Sequence, residues 1–471
     1  MNKKHKGNTS HNVLVVGAGY VGLTSAVCLA HLGHEVLCVE SNPARLRPLL
    51  QGKSPIHEEG LDELLKEGLE RGNLRFVPQV QGSLDGIEVV MLCVGTPKDD
   101  MGNPDLTQLA KAAREVAAWA TSDLVTVIKS TVPPGTCEAI ELLCADYTED
   151  KLKISVVSSP EFLRESQAIY DFMNPDRVVI GASNEGDALL VSELYPESDE
   201  LILTDRRSAE LIKYAANAFL AVKISFANEV ASVCEALGAD TITVLAGVGS
   251  DHRIGKEFLR PGPGYGGSCL PKDVAGFQAL GDSLNVSTPL VRTAAQINNQ
   301  RAGEMIDKLE MALLSLSGKT IAVWGLAFKP GTDDARDSPS LRMIDALTDK
   351  GAIVQCYDPL AKVENLRALR FDTAADALIL ADALVITTAW DEFARIPAKQ
   401  VRSLMRGRVV LDTVGSMDLY DYERAGFTTY GIGRGVPTAF HPIIWSPLKW
   451  SIDRFITAAN DHDTLLSTAS W

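Results

Sequence analysis

The chain has 471 residues, 46% of them hydrophobic and 23% charged, and 61 acidic residues against 45 Lys and Arg give a net charge of −16. That balance excludes collagen-like, disordered and disulfide-scaffold classes, and a negative field of this size disfavours nucleic acid as a partner. At ~150 residues per domain the length suggests about three domains; an anionic small ligand would need Lys and Arg gathered locally against the global charge.

Residues 1–11 form a tail that carries Lys3, Lys4 and Lys6 but no apolar run, so no signal peptide is read there. No apolar run reaches 18 residues anywhere, which argues against a membrane span. The eight cysteines show no CxxC pair and fit a reducing cytoplasm. His31 and His34 are read on one helix face without further ligands, so surface histidines rather than a metal site are expected.

In chain order, Asn12–Val16 reads as a strand, Tyr20–Leu32 as a helix and Glu35–Glu40 as the next strand. Val89–Val94, Leu124–Lys129, Ile154–Ser158 and Val178–Ile180 follow as buried strands. Strands alternating with helical patterns predict an α/β fold with a parallel sheet. From Arg206 to Leu237 there is no Gly or Pro. Leu211, Ala215, Phe219, Val222, Phe226, Val230, Val233 and Leu237 recur at helical spacing, and Gly238 ends the run. At 1.5 Å per residue this helix is roughly 48 Å long, enough to span two domains and to pack against a symmetry partner. A second alternating block comprises Thr320–Trp324, Ile353–Tyr357, Leu384–Thr388, Val409–Thr413 and Thr429–Ile432. The expected division is 1–11 tail, 12–205 cofactor domain, 206–310 central helical domain, 311–435 second α/β domain and 436–471 tail.

The turn after the first strand is Gly17-Ala18-Gly19-Tyr20-Val21-Gly22, and Glu40 ends the second strand eighteen residues past the last glycine. A strand before the motif, a helix after it and an acid at that distance point to dinucleotide binding. The glycines admit a pyrophosphate to the helix N-terminus, and a carboxylate facing the ribose favours NAD over NADP. Arg45 is a complication close by. The second α/β block has only Gly325 where the fingerprint needs three glycines, so it is expected to be a structural repeat or to hold a different nucleotide, with Lys329 and Arg336 supplying positive charge.

Residues Arg260 to Asp273 read RPGPGYGGSCLPKD, with four glycines and three prolines between 261 and 271. A stiff loop of this kind displays Cys269 beside Lys272 and Asp273, and a nearby cation is expected to lower the thiol pKa. Cys28, Cys38 and Cys93 read instead as small buried side chains. Lys213 and Asn217 lie four apart on the long helix, off its apolar stripe, and could stabilise an oxyanion and order a water.

Taken together, these segments resemble the UDP-glucose/GDP-mannose dehydrogenase family over 12–433. The motifs are GAGYVG at 17–22, VGTP at 94–97, STVPPGT at 130–136, SPEFLRE at 159–165, KYAANAF at 213–219, RIG at 253–255, GYGGSCLPKD at 264–273 and AFKPGTDDARDSP at 327–339. The resemblance implies two Rossmann-like domains joined by a long central helix, with NAD on the first and a nucleotide sugar on the second. It implies four-electron oxidation of UDP-glucose to UDP-glucuronate through a Cys269 thiohemiacetal and thioester, using two NAD and one water. GDP-mannose or a UDP-N-acetylhexosamine is the alternative substrate. A two-electron hydroxyacid dehydrogenase would have no use for Cys269, and a non-catalytic nucleotide-sugar-binding protein is the remote third reading.

By the same resemblance Lys213 stabilises an oxyanion, Asn217 and Asp273 assist it, and Glu161 and Thr131 join the acid–base and water network. Gly17, Gly19, Tyr20, Val21, Gly22, Glu40, Arg45, Thr96, Thr131, Glu165, Lys272 and Arg336 are the expected cofactor contacts. Phe162, Leu163, Arg164, Lys213, Asn217, Arg260, Tyr265, Gly266, Phe328 and Lys329 are the expected substrate contacts. Arg253 is expected to reach the site of a neighbouring subunit, which makes a homodimer or higher homo-oligomer through the central helix a condition of activity. The sequence departs from the family at Ser166, where a glycine is usual. It also departs in the tail with Phe440, Trp445, Trp450, Phe455 and Trp471, expected to pack on the second α/β domain or to be partly disordered, with partner docking or feedback control as the weaker reading.

Overall fold

A computed structural model of the chain describes residues 9–80, 82–99, 102–198 and 200–434, so the aromatic tail at 436–471 lies outside the described residues. The strands are β1 (Asn12–Val16), β2 (Glu35–Val39), β3 (Leu74–Val77), β4 (Val89–Leu92), β5 (Leu124–Ile128), β6 (Ile154–Ser158), β7 (Val178–Gly181) and β8 (Leu201–Thr204) in the first half. The second half holds β9 (Thr320–Trp324), β10 (Ile353–Tyr357), β11 (Leu369–Arg370), β12 (Ala383–Ile386), β13 (Val409–Asp412) and β14 (Thr428–Gly431).

The first eight strands form one sheet in the order β3-β2-β1-β4-β5-β6-β7-β8, and the other six a second sheet in the order β11-β10-β9-β12-β13-β14. Each contains the doubly wound order in which ligands bind at the carboxyl ends beside the first strand. Buried runs such as VVML in β4 and LVTVI in β5 suit strands covered on both faces by helices. One expectation is corrected: the first sheet is mixed, because β7 meets β6 antiparallel through the single pair Ser158–Gly181. The edge strands β3, β8 and β11 were not foreseen. β8 is half exposed along its length and β11 is two exposed residues, so pairing rather than burial defines them.

Between the sheets runs the central helix Arg206–Leu237, with Asp205 accepting from Ser208 N–H at its start and left-handed Gly238 at its end. Its packed face consists of small or polar residues, among them Ala209, Lys213, Asn217, Ala218, Ala221 and Ala231. Ala218 and Ala221 join Tyr265, Val274 and Val291 in a compact core with the helices Leu270–Ser283 and Pro289–Leu313. The apolar stripe read from the sequence is the opposite face: Leu211, Phe219, Phe226, Val233 and Leu237 are exposed, Phe219 to 62%.

A second correction concerns His34. The helix ends at His31, and His34 is fully buried with its ring stacked 5.7 Å from that of His11. Burial, reinforced by the neighbouring His11 and opposed by Glu88, pushes its pKa down to about 4.

Candidate active site

The turn after β1 has the shape of a phosphate cradle. Gly17 is left-handed at φ +96°, and a Cβ on Gly22 would lie 1.8 Å from the Gly17 carbonyl oxygen. Only glycine fits both places. No side chain caps the helix Tyr20–His31, so its first-turn N–H groups are free to face an anion. Arg45 leans over the turn, with Nη1 4.0 Å from where a Gly19 Cβ would sit. Glu40 is buried at the end of β2 and accepts from Asn42 N–H at 2.7 Å. The residues present therefore fit a dinucleotide with an unphosphorylated ribose.

In the second sheet the corresponding turn is closed by the protein itself. Asp358, after β10, accepts from Leu326 N–H, Ala327 N–H and Trp390 Nε1 on one oxygen and from Leu360 N–H and Ala361 N–H on the other. The Leu326 and Ala327 amides of this turn are thus satisfied by a carboxylate, whereas no side chain caps the helix after the first sheet's turn. The chain runs on to place Phe328 and Lys329 in the main cavity instead.

That cavity, of about 550 Å³, lies between the two sheets and is lined by Glu161, Phe162, Leu163, Arg164, Glu165, Lys213, Asn217, Gly266, Cys269, Phe328 and Lys329. Cys269 is the cap residue of the helix Leu270–Ser283, whose Asp273 N–H donates back to its carbonyl at 2.8 Å. The loop before it is held rigidly. Asn298 accepts from Tyr265 N–H at 2.6 Å, Gly267 N–H donates to the Arg336 carbonyl at 2.9 Å, and a Cβ on Gly266 would strike the Asp337 carbonyl.

Lys213 is buried and its Nζ lies 3.2 Å from Glu161 Oε1 and 5.1 Å from the Phe162 ring centre. Burial favours the neutral amine, but Glu161 first, with Asp273, outweighs it and leaves the pKa raised, so Lys213 is an ammonium. Asp273, fully buried, accepts from Asn217 Nδ2 on one oxygen and from Lys272 Nζ at 2.6 Å on the other. The expected activation of Cys269 is overturned: burial, with Glu161, pushes its thiol up to about 11 against the pull of Lys213. Lys272, the cation adjacent in sequence, is engaged by Asp273. The resting nucleophile is a neutral thiol.

Glu165 ties this site to the second sheet. It accepts from Ser268 Oγ at 3.2 Å and Thr332 Oγ1 at 3.4 Å, and Lys329 Nζ donates to its carbonyl. Burial and Asp334 push its carboxyl up to about 7, while Lys329, Arg336 and Ser268 pull it back.

Other expected residues take different places. Thr96 donates to the Thr131 carbonyl at 3.0 Å, joining two strand-end loops. The Tyr20 hydroxyl is bound by Glu58 and by Ser166 N–H, while the Tyr20 backbone and Val21 open the helix. Arg164 forms a bidentate pair with Asp171, and Arg336 pairs with Asp334 at 2.7 Å. The Tyr265 ring packs in the core under the central helix, so this turn reaches the cavity through Gly266. Arg260 is exposed, and Arg253 is exposed in an ion pair with Asp251; neither lines the cavity of its own chain.

Sequence reasoning missed three residues. Arg177 stacks 3.8 Å over Phe162, Glu58 accepts from Ser166 and Ala168 N–H at 2.8 Å, and Lys129 lines the back of the cavity. Only Lys129 carried a signal, as a lysine ending a buried strand.

Three domain models of one family match the chain in order. They are the NAD binding domain of the UDP-glucose/GDP-mannose dehydrogenase family at 11–199, its central domain at 207–300 and its UDP binding domain at 322–419. A UDP-glucose 6-dehydrogenase of Rhizobium meliloti is 42% identical, covering 90% of this chain and 99% of that protein. One of Bacillus subtilis is 39% identical, covering 90% and 98%. Among solved structures, a UDP-glucose dehydrogenase from Pyrobaculum islandicum superposes with a TM-score of 0.83 at 35% identity, covering 91% of this chain and 99% of that one. A UDP-D-ManNAc dehydrogenase from Pyrococcus horikoshii gives 0.82 at 29%, covering 90% and 100%.

Proposed function

The chain belongs to the UDP-glucose/GDP-mannose dehydrogenase family, and from that premise we propose that it oxidises UDP-glucose to UDP-glucuronate, consuming two NAD and one water. The observation that carries this reading is the meeting of Cys269, Lys213 and Asn217 in one cavity, in a chain whose first strand turns into a glycine cradle fit for a dinucleotide. A single two-electron oxidation has no need of the thiol.

NAD supplies the hydride acceptor when bound. Gly17, Gly19, Tyr20, Val21, Gly22, Glu40 and Arg45 would hold its adenosine and pyrophosphate, and Thr96, Thr131, Glu165, Lys272 and Arg336 the remainder. Phe162, Leu163, Arg164, Gly266, Phe328 and Lys329 would seat the nucleotide sugar. The ammonium of Lys213, kept charged by Glu161, faces the oxygen on which negative charge develops. Once the alcohol has become an aldehyde, the Cys269 sulfur adds to its carbon and the thiol proton passes to the new hydroxyl group. Loss of a second hydride from that carbon, to the second NAD, and of the hydroxyl proton leaves a thioester. Water then adds its hydroxyl to the acyl carbon, the C–S bond breaks, and the sulfur regains a proton, with Asn217, Asp273, Glu161 and Thr131 ordering that water.

The exposed apolar face of the central helix supports a homodimer or higher oligomer, in which Arg253 reaches the neighbour's site. The protein acts in the cytoplasm; among the described residues no helix is long and apolar enough to cross a membrane. The functional division of the chain is 12–205, 206–310 and 311–435.

A panel of nucleotide sugars with NAD, followed by NADH absorbance, tests the substrate. UDP-glucose should give the highest kcat/KM; a higher value for GDP-mannose or a UDP-N-acetylhexosamine would transfer the assignment to that sugar.

A further inference from the structure

The catalytic cavity is also lined by Ser25 of the helix Tyr20–His31 and by Lys129, Ser159 and Tyr195, a polar group that defines its inner lobe. These polar groups are unlike the core around them. Lys129 is only 4% exposed, yet among the described residues its ammonium makes one hydrogen bond, to the Tyr195 hydroxyl at 2.8 Å, and faces no carboxylate at ion-pair distance. Its other near neighbours are the Tyr195 ring, 5.0 Å from Nζ, and the buried Cys93 thiol. Ser25 is fully buried, and its hydroxyl has no partner among the described residues. Ser159 and Tyr195 share one hydrogen bond of 3.1 Å.

A buried ammonium with unused protons and a buried hydroxyl without a partner each cost free energy unless something fills the lobe. The occupant must accept from Lys129 and exchange hydrogen bonds with hydroxyl groups, so an apolar group does not serve. Glu161 and Glu165 line the same cavity and disfavour a small anion beside Lys129. Water satisfies every requirement, since Lys129, Ser25 and the Ser159–Tyr195 pair supply the two to four polar partners a buried water takes.

We propose that this lobe is a built water site that feeds the hydrolytic half of the reaction, with Lys129 as its positioning residue. The proposal rests on the four-electron reading above. Ser159 lies two residues before Glu161 and both line the cavity that holds Lys129 and Cys269, so the water sits in the same cavity as the thioester. From there one molecule reaches the Cys269 thioester and adds its hydroxyl to the acyl carbon. The C–S bond breaks, one proton returns to sulfur, and the acid releases the other as it ionises. Neither oxidation step uses this water, so the inner lobe bears on thioester hydrolysis alone.

The test is Lys129→Met enzyme mixed rapidly with NAD and UDP-glucose, with NADH followed in time and quenched protein weighed intact. A burst of two NADH per site at the parental rate is expected, then steady turnover at least tenfold slower, with an acyl group retained on Cys269. Lys129→Arg should recover part of the turnover. Steady turnover within twofold of the parent, or equal slowing of burst and steady state, would overturn the proposal. Should Lys129→Met fail to fold, Ser25→Ala decides: a parental burst followed by slowed turnover supports the water site, and unchanged turnover refutes it. Failure of the parent enzyme itself to release NADH from UDP-glucose would overturn the functional reading and the proposal with it, whereas the variant outcomes bear on the water site alone.

Discussion

Lys213 Nζ lies 3.2 Å from Glu161 Oε1, both side chains buried, with the ammonium 5.1 Å from the centre of the Phe162 ring. The pair fixes the charge that the chemistry requires. Without Glu161 the lysine would lose its largest opposition to burial and give up its proton more readily.

Glu161→Gln should therefore lower kcat by on the order of 100-fold or more, the scale of losing one preorganised charge interaction. It should also move the alkaline limb of the kcat–pH profile to lower pH, because the Lys213 pKa falls when its first partner becomes neutral. A variant profile that overlays the parent's on the alkaline side would show that Glu161 does not set the charge of Lys213.

Glu165 carries the pH dependence near neutrality. Its carboxyl is pushed up to about 7, so it is protonated below that value and ionised above it. Only the ionised form accepts fully from Ser268 Oγ and Thr332 Oγ1 and balances Lys329 and Arg336 across the two sheets. The kcat/KM for UDP-glucose should rise through a limb near pH 7. In Glu165→Gln that limb should vanish, and a parental limb in the variant would assign it to another group.

Ser166 occupies the left-handed region at φ 68°, where a side chain is strained by roughly 1–2 kcal/mol. Its Cβ sits 2.9 Å from where a Cβ on Gly331 would be, and Gly331 is itself left-handed. Ser166→Gly should raise stability by about 0.5–1 kcal/mol in a denaturant or thermal unfolding measurement. Gly331→Ala should destabilise the parent more than it destabilises the Ser166→Gly enzyme. Equal effects in the two backgrounds would show that the side chains do not compete for the same space.

Much of this fold is written in local patterns. β1, β6, β9, β10 and the central helix begin and end at the residues that their buried runs and the bounding Gly238 indicate. The edge strands β3, β8 and β11 are not: they are two to four residues long, and β8 and β11 are largely exposed, so pairing with a neighbour defines them more than a buried run does. Periodicity also located an apolar face on the central helix without saying what covers it: within the chain, alanines do the close packing and the large side chains point outward. Cys269, Lys213 and Asn217 were legible because their neighbours form distinctive strings. Glu58, Arg177 and the inner-lobe role of Lys129 arise where distant segments meet, and no spacing along the chain records that. The Cys269 thiol was misjudged for a related reason, since Lys272, its neighbour in sequence, turns to Asp273 while Glu161 arrives from another strand end.

One cavity carrying out two oxidations joined by covalent capture on Cys269 must form two NADH for each sugar oxidised. The most direct test is the amount of NADH formed when a limiting quantity of UDP-glucose is consumed to completion with excess NAD. Two NADH per UDP-glucose is the expected result, and one NADH per UDP-glucose would contradict it.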